Sequence, residues 1–165
     1  MKIEKLLNLK VGATFELQGA NWTVKEAYQY NWDDGEISVE FKINSKDGDA
    51  YLEIEDDDEY SLNFSVDITD EDIEPRILID DLDVEEVLAE LYYSDTNYFL
   101  ENIDEGEFVD LSGLDAPMRF TNYSYLYDDL FINIVVWEDE SLDFSAGYEI
   151  RVDEITNINM NDDIV

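Results

Sequence analysis

The chain has 165 residues, of which 45% are hydrophobic, and a formal net charge of −35 from 44 acidic and 9 basic side chains. That apolar content argues against wholesale disorder, and the charge argues against direct binding to nucleic acid or to an anionic membrane surface. Because the chain has no His and no Cys, it has no Ser-His-Asp triad, no thiolate nucleophile and no disulfide.

The length and the N-terminal pattern indicate a single cytoplasmic domain that spans residues 1–165. Charged residues interrupt the apolar ones in residues 1–12, so no signal peptide is predicted. No apolar run approaches the roughly 20 residues that a membrane span needs, so we expect no membrane insertion. The absence of Cys fits a reducing compartment.

The first half of the chain predicts a short helical turn followed by a β-meander. In residues 2–9, Ile3, Leu6 and Leu7 fall on one helical face. Alternating apolar and polar side chains then predict strands at residues 13–19, 22–30, 36–43, 51–55 and 60–68. Short turns rich in Gly and Asp separate these strands, as antiparallel neighbours require.

The pattern changes to a helical one in the middle of the chain. From Val84 to Leu91, apolar residues recur at i, i+3, i+4 and i+7, and Asp83 is placed to cap the first turn. We therefore expect a helix over residues 83–93, inside a helical connection that covers residues 80–102.

The second half returns to strands and repeats part of the first. Strands are predicted at residues 106–113, 118–127, 130–137 and 141–152, and the tail beyond them is expected to fray. The stretch YLEIEDDDEYSLNFS at residues 51–65 aligns without a gap with FINIVVWEDESLDFS at residues 131–145. Each of the two stretches spells a strand, an acidic turn and a strand.

This similarity predicts an internal duplication of residues 12–68 and 106–152. A single unit of four or five short strands is marginally stable alone, so the two copies must share a core. The expected fold class is mainly β (α+β). It has two related antiparallel β-meander units, packed together or continued into one curved sheet, and joined by the helix.

Several short motifs resemble those of domain-of-unknown-function family 4178. The opening LLNLKVGATFELQGANWTV at residues 6–24 has the leucine and glycine lead-in and the aromatic-x-valine strand of that family. Trp32 precedes an acidic hairpin, and residues 40–43 form the following strand motif. The closing motifs are IVVWEDE at residues 134–140 and GYEI at residues 147–150.

The resemblance covers most of the chain except residues 70–102. It implies a β-rich fold with few helices and no assigned activity. Some members lie beside genes of phage-shock and membrane-remodelling type, which implies an accessory role in envelope stress. The chain departs from the family pattern at Tyr51-Leu52, where a typical member has a tryptophan–leucine pair.

Acidic turns and one tryptophan are the candidate binding residues. Trp22 and Trp137 occupy alternating strand positions and are expected in the core, whereas Trp32 adjoins a charged turn and is the expected interface anchor. The candidate interface residues are Trp32, Asp33, Asp34, Asp56, Asp57, Asp58, Glu59, Glu138, Asp139 and Glu140. No catalytic residue, metal ligand or cofactor is predicted.

Three functions remain open at this stage. The favoured one is a non-enzymatic accessory protein that binds a basic protein surface, with charge steering its association. The second is a DNA mimic that inhibits a nucleic-acid-binding protein, because the surface charge rivals that of a duplex. The third is a binder of divalent cations or polyamines through carboxylate oxygens.

Overall fold

Eleven β-strands and one short helix make up most of the described chain. The structure is a computed structural model that describes residues 2–56, 60–74, 89–111, 113 and 116–160. The elements are α1 (Lys2–Leu7), β1 (Thr14–Leu17), β2 (Ala20–Trp32), β3 (Ile37–Ser45), β4 (Gly48–Asp56), β5 (Tyr60–Ile68), β6 (Glu90–Tyr93), β7 (Thr96–Asp110), β8 (Met118–Tyr127), β9 (Leu130–Trp137), β10 (Leu142–Ile150) and β11 (Thr156–Asn159). A 3-10 turn, Val152–Glu154, precedes β11.

Eight of these strands close into an antiparallel barrel. Their order around the barrel is β2-β3-β4-β5-β10-β9-β8-β7, and β7 pairs with β2 to complete the ring. Two seams therefore join the half formed by β2–β5 to the half formed by β7–β10. On one seam Tyr28 lies opposite Asp110, and on the other Ser65 lies opposite Gly147.

Strand β2 serves both the barrel and the layer outside it. Its first residues pair with β1, so that Thr23 lies opposite Thr14, and its last residues pair with β7. The register of β2 against β3 shifts between Val24 and Glu26. A β-bulge of this kind bends a strand and increases its twist, which lets β2 leave β1 and reach β7.

The outer face of β3, β4 and β5 carries the larger apolar core. Alternate side chains of these strands, such as Phe41, Leu52 and Leu62, point away from the barrel axis and are buried. Leu6 of α1 and Phe15 of β1 cover them from outside. Burying apolar surface yields about 25 cal/mol per Å², so this outer layer is the main source of stability for the first half.

A second apolar core covers the outer face of β8, β9 and β10. Tyr125, Ile132 and Ile134 are buried there beneath Ile73 and beneath Leu91 of β6. Both apolar cores thus lie outside the barrel wall. The alternate side chains of the same strands point into the barrel, and these are mainly polar.

The expected helix-joined architecture is wrong for the described residues. Residues 75–88 lie outside the described residues, but β6 and β7 occupy the second half of the expected helical connection. Leu91 is buried and Tyr92 is exposed, which is the alternation of a strand. Aromatic residues favour strands, and Ser94 and Asp95 both adopt positive φ in the two-residue turn to β7.

The relation between the two halves also differs from the expected one. The matching stretches at residues 51–65 and 131–145 fall on the β4–β5 and β9–β10 hairpins, whose second strands pair with each other. The halves continue into one sheet, but that sheet is closed, and the space that they share is polar. The tail is ordered as far as β11, because Thr156 pairs with Glu16 of β1.

Glycine occupies both seams where the two halves meet. A Cβ atom on Gly147 would lie 1.9 Å from the carbonyl oxygen of Phe64 across the β10–β5 seam. A Cβ atom on Gly106 would lie 2.7 Å from the carbonyl oxygen of Asn31 across the β7–β2 seam. Both contacts are with backbone, so a side chain at either position forces the paired strands apart.

We therefore expect Gly147→Ala to destabilise the fold by at least about 2 kcal/mol, because overpacking here displaces backbone rather than a flexible side chain. Thermal unfolding followed by circular dichroism measures this as a lower Tm. Ser145→Ala, two residues earlier on the same face of β10, is the matched control and should change Tm little. Equal Tm values for the two variants would contradict the close approach at the seam.

Candidate functional site: the barrel lumen

The barrel encloses a cavity of about 600 Å³ that runs along its axis. It is lined by the side chains that alternate with the two outer cores, so that every barrel strand contributes to it. Of the described residues that line it, nine are acidic and none is Lys or Arg. The acidic ones are Asp34, Glu36, Glu40, Glu53, Glu55, Asp67, Asp104, Asp143 and Glu149.

Three glutamates form one side of the lumen, which we call the acidic wall: Glu40, Glu53 and Glu55. Glu40 on β3 lies directly opposite Glu53 on β4, and Glu55 is two residues further along β4 on the same face. Tyr30 donates a hydrogen bond of 2.8 Å from its Oη to Oε1 of Glu40. Asn63 of β5 donates to Glu55 at 3.5 Å.

The surroundings of Glu40 and Glu53 favour their protonated forms. Burial raises the pKa of Glu40 to about 7; the hydrogen bond from Tyr30 opposes this rise, and the charges of Asp67 and Asp143 add to it. Burial, together with the charges of Glu55 and Glu40, raises the pKa of Glu53 well above its usual range. Like charges and a desolvated site both disfavour the ionised form.

A basic side chain, that of Lys42, lies at the edge of this region. Lys42 is opposite Tyr51 on β4, and its Nζ is 3.9 Å from Oε2 of Glu26. Burial raises the pKa of Asp67, while the hydrogen bond from Tyr51 and the charge of Lys42 lower it. Lys42 is therefore engaged near Glu26 and Asp67, and it does not line the cavity beside the acidic wall.

Six aromatic rings form a second feature of the lumen, which we call the aromatic cluster. They are Tyr28, Tyr30, Trp32, Phe108, Phe120 and Trp137. The centroid of the Phe120 ring lies 5.4 Å from that of Tyr30, 5.2 Å from that of Trp32 and 5.7 Å from that of Trp137. Tyr30 belongs to the cluster and also contacts the acidic wall, so the two features are adjacent.

The indole N–H groups of Trp32 and Trp137 already donate hydrogen bonds within the lumen. Trp32 donates from Nε1 to Oγ of Ser38 at 2.7 Å, and Trp137 donates from Nε1 to Oδ2 of Asp143 at 2.6 Å. These bonds fix the rings, so the ring faces are the surfaces left for other contacts. Such faces attract cations through the ring quadrupole.

A third feature, the amide wall, consists of Asn122, Ser124 and Asn133 on β8 and β9. Nδ2 of Asn122 donates to Oγ of Ser124 at 3.0 Å and to Oδ1 of Asn133 at 3.4 Å. Ser124 in turn donates to the same Oδ1 of Asn133 at 3.0 Å. Oδ1 of Asn122 is buried and accepts no hydrogen bond from the described residues.

The lining combines nine carboxyl side chains with neutral hydroxyl and amide groups. Some of these neutral groups donate to the carboxylates, as Tyr30 does to Glu40, whereas Oδ1 of Asn122 has no donor among the described residues. Buried polar groups are nearly always hydrogen-bonded, so an unpaired acceptor in a cavity calls for a donor from outside the protein. The arrangement can hold a small molecule that carries N–H groups and positive charge.

The structure places the residues predicted from the β2–β3 turn at the barrel rim and in its wall. Trp32 is half-buried in the aromatic cluster, and Asp34 lines the cavity. Asp33 is exposed and forms a bidentate ion pair with Arg119 of β8, at 2.8 and 2.7 Å. The hydrogen bonds from Arg119 hold the pKa of Asp33 below its usual range.

The other predicted acidic residues lie in two further turns. Glu138, Asp139 and Glu140 are exposed in the β9–β10 turn, where the backbone N–H of Glu138 donates to the carbonyl of Arg119 at 3.0 Å. Arg119 therefore brings this turn and Asp33 together. Asp57, Asp58 and Glu59 lie outside the described residues, and Asp56 ends β4 without a described side chain.

The two tryptophans expected in the core have different surroundings. Trp22 is buried in the larger outer core, as predicted. Its Nε1 donates a hydrogen bond of 3.2 Å to the carbonyl of Leu17. Trp137 is half-buried and lines the lumen, so the prediction of core packing is wrong for it. Alternation along β9 places Trp137 on one face of the sheet but does not reveal that this face is concave.

Sequence reasoning missed the acidic wall and the amide wall. The sequence pattern includes Glu40 only in a strand motif, and it singles out none of Glu53, Asn122 and Asn133. The sequence does contain one indication that the polar face is enclosed. Several of its polar side chains are short and uncharged, which suits a confined space better than an open surface. These residues are Ser61, Asn63, Ser65 and Ser124.

The described residues contain no group of three or more Asp or Glu side chains arranged to hold a metal ion. In the described ranges no helix has the length and apolar character needed to cross a bilayer. The acidic residues of the lumen are instead distributed over several strands, with apolar rings and neutral amides between them.

These features define a hollow antiparallel β-barrel, as distinct from a small barrel filled by its own side chains. Residues 10–152 match the family described as Domain of unknown function (DUF4178), and the chain belongs to this family. The match confirms the resemblance seen in the sequence motifs. No curated protein and no solved structure matches the chain.

The raised pKa values predict how stability depends on pH. Between the unfolded pKa of a glutamate, about 4.3, and the folded pKa of Glu40, about 7, the folded state binds a proton that the unfolded state has lost. The free energy of unfolding therefore falls as pH rises through this window. Glu40→Gln removes the effect, so it should raise Tm at pH 8 and change it little at pH 4.

Thermal unfolding of the ligand-free protein across this pH range measures the difference in stability, for which about 4 kcal/mol is an upper bound. Glu101→Gln on the exposed part of β7 is the control for the loss of one negative charge. If both variants gained the same stability at pH 8, general charge repulsion would account for it, and the buried state of Glu40 would be contradicted.

Proposed function

We propose that the protein is a non-enzymatic binding protein that holds a small organic cation in the barrel lumen. The observation that carries this proposal is the imbalance of the lining: nine carboxylate side chains face the cavity, and no Lys or Arg from the described residues faces it. A protein interior normally compensates buried carboxylates with cationic partners. Lys42 acts on Asp67 from the edge of the lumen, and Glu40 and Glu53 are the half-buried members of the set, so a cationic ligand or bound protons would balance the charge of these two glutamates.

The energetics of the acidic wall support this assignment. In the ligand-free protein, Glu40 avoids an unpaired buried charge by holding a proton up to a pH of about 7. A bound ammonium group would supply both a counter-charge and hydrogen-bond donors, and charge-assisted hydrogen bonds of this type are about twice as strong as neutral ones. Binding therefore stabilises the ionised carboxylates and releases protons.

The aromatic cluster supports an organic cation over a bare metal ion. A hard divalent cation takes six or more oxygen ligands at short range, or keeps its own water. The lumen instead places the rings of Tyr30 and Phe120 next to Glu40, and such rings bind alkyl groups and the faces of organic cations. An ammonium group attached to an apolar chain contacts both features at once.

Titration with matched six-carbon ligands tests this function. Hexylamine and hexamethylenediamine should each bind with saturable 1:1 stoichiometry in 0.15 M salt and change the fluorescence of Trp32 and Trp137. Hexanol, which has the same chain without the charge, should bind at least tenfold more weakly. Glu40→Gln should weaken the binding of both amines about tenfold, which corresponds to 1.4 kcal/mol.

Glu101→Gln is the matched control, because it removes one exposed charge from β7 and leaves the lumen intact. Salt at this concentration shortens the Debye length to about 8 Å, which suppresses general attraction to the acidic surface. Amines that bind no tighter than hexanol would overturn the proposed function. So would an equal loss of affinity in Glu40→Gln and Glu101→Gln.

A basic protein surface remains a second candidate partner. It is favoured by the exposed carboxylates of Glu138, Asp139 and Glu140, which stand together at one turn. In this version the protein would be a cytoplasmic accessory factor, with a role in envelope stress as the family resemblance implies. A DNA-mimicking inhibitor would use the same exposed charges.

For this second candidate we expect association to slow steeply between about 50 and 200 mM salt, because screened charges steer less effectively. Affinity capture at both salt concentrations measures it. The triple change Glu138→Gln, Asp139→Asn and Glu140→Gln should reduce capture, whereas Glu40→Gln in the lumen should not. A captured partner that duplex DNA displaces would favour mimicry, and capture that is indifferent to salt would exclude both versions.

A further inference from the structure

The amide wall contains an acceptor that the proposed cation site does not use. The Asn122 side chain is 8% exposed and faces the lumen. Its Nδ2 has two partners, Ser124 and Asn133, but its Oδ1 has none. Leaving a buried acceptor unsatisfied typically costs about 1–3 kcal/mol, so a hydrogen-bond donor from outside the protein is favoured at this position.

No side chain of the described residues donates to this oxygen. The hydroxyl of Ser124 already donates to Asn133. The cross-strand partner of Asn122 on β7 is Asp104, which also lines the cavity and offers carboxylate oxygens. Burial raises the pKa of Asp104, and the charge of Asp34 adds to this. Asn122 and Asp104 together form a second pole that attracts an N–H donor carrying positive charge.

The second pole is separated from the acidic wall by apolar rings. Phe120 precedes Asn122 by two residues on the same face of β8, and its ring contacts Tyr30, which holds Glu40. Asn122 on β8 and Glu53 on β4 are four strands apart in either direction around the eight-stranded ring, so the two poles lie on opposite sides of the lumen.

We propose that the ligand is a dication with an ammonium group at each end of an apolar chain, of the α,ω-diamine type. One head binds the acidic wall, and the other donates to Oδ1 of Asn122 and pairs with Asp104. The chain between them lies against Tyr30 and Phe120. This inference rests on the proposed function, but it concerns the second head alone.

The aromatic rings between the two poles favour such a ligand over a compact cation. A compact cation satisfies one pole and leaves the other empty. A dication long enough to cross the lumen satisfies both and places its methylene groups on the rings, where they lose contact with water. Chains too short to span the lumen bind one pole, and chains too long must fold or leave an end outside the barrel.

The experiment compares hexamethylenediamine with hexylamine by isothermal titration calorimetry, in wild type and in the variants Asn122→Leu and Asp104→Asn. Wild type should prefer the diamine by at least tenfold. Each variant should reduce that preference about tenfold or to near unity, because it removes a contact of the second head. Asp104 is exposed at its edge of the lumen, so Asp104→Asn keeps the test valid if Asn122→Leu fails to fold.

Diamines with chains of four to ten carbons complete the test, and the affinity of wild type should pass through a maximum with chain length. Glu101→Gln should leave the preference for the diamine unchanged. A preference that persists in both lumen variants, or that rises steadily with chain length, would overturn the two-headed ligand while leaving cation binding intact. If neither amine binds wild type, the proposed function itself fails.

Discussion

The pairings of β5 with β10 and of β2 with β7 enclose the polar face of the sheet, and the site depends on that closure. An open sheet with the same strands would expose Glu40, Glu53 and Asn122 to water, where their charges and hydrogen bonds cost little. Closure removes those groups from bulk water, so an acceptor without a hydrogen-bond partner there raises the free energy of the folded state. The strands can pair at the two seams because Gly106 and Gly147 have no side chain, which lets the paired backbones approach closely.

Closure with the polar face inward requires that stability comes from outside the barrel wall. The apolar side chains of β3 to β5 are covered by α1, β1 and β11, and those of β8 to β10 by β6 and Ile73. The wall is therefore held from outside while the inside stays hollow. Because the two outer cores stabilise the fold, the barrel can keep acidic side chains in its lumen even though they lower the stability of the folded state.

Several parts of this arrangement follow from the sequence, and others do not. Period-two alternation identified most strands, because residues such as Phe41 and Ile43 are apolar and their neighbours are polar. The same alternation defines two faces without saying which becomes concave, so the prediction of core packing for Trp137 is wrong and Asn122 is not identified as a lumen residue. Leu91 fits both a helical and a strand period, and only its pairing with Tyr98 decides between them.

The acidic side chains behind the net charge of −35 include two different populations, one in the lumen and one in the exposed turns. Exposed carboxylates such as Glu138 are solvated and cost the fold little. Glu40 and Glu53 are enclosed, so they influence stability and proton uptake far more than their number suggests. Composition alone does not distinguish these two populations, since the distinction arises from long-range strand pairing.

Nuclear Overhauser contacts between hexamethylenediamine and the tryptophan rings test the location of the ligand most directly. The account predicts contacts from the methylene protons to the rings of Trp32 and Trp137 in the lumen, and none to Trp22 in the outer core. Contacts with Trp22 or with exposed rings such as Tyr127, and none with the two lumen tryptophans, would contradict it.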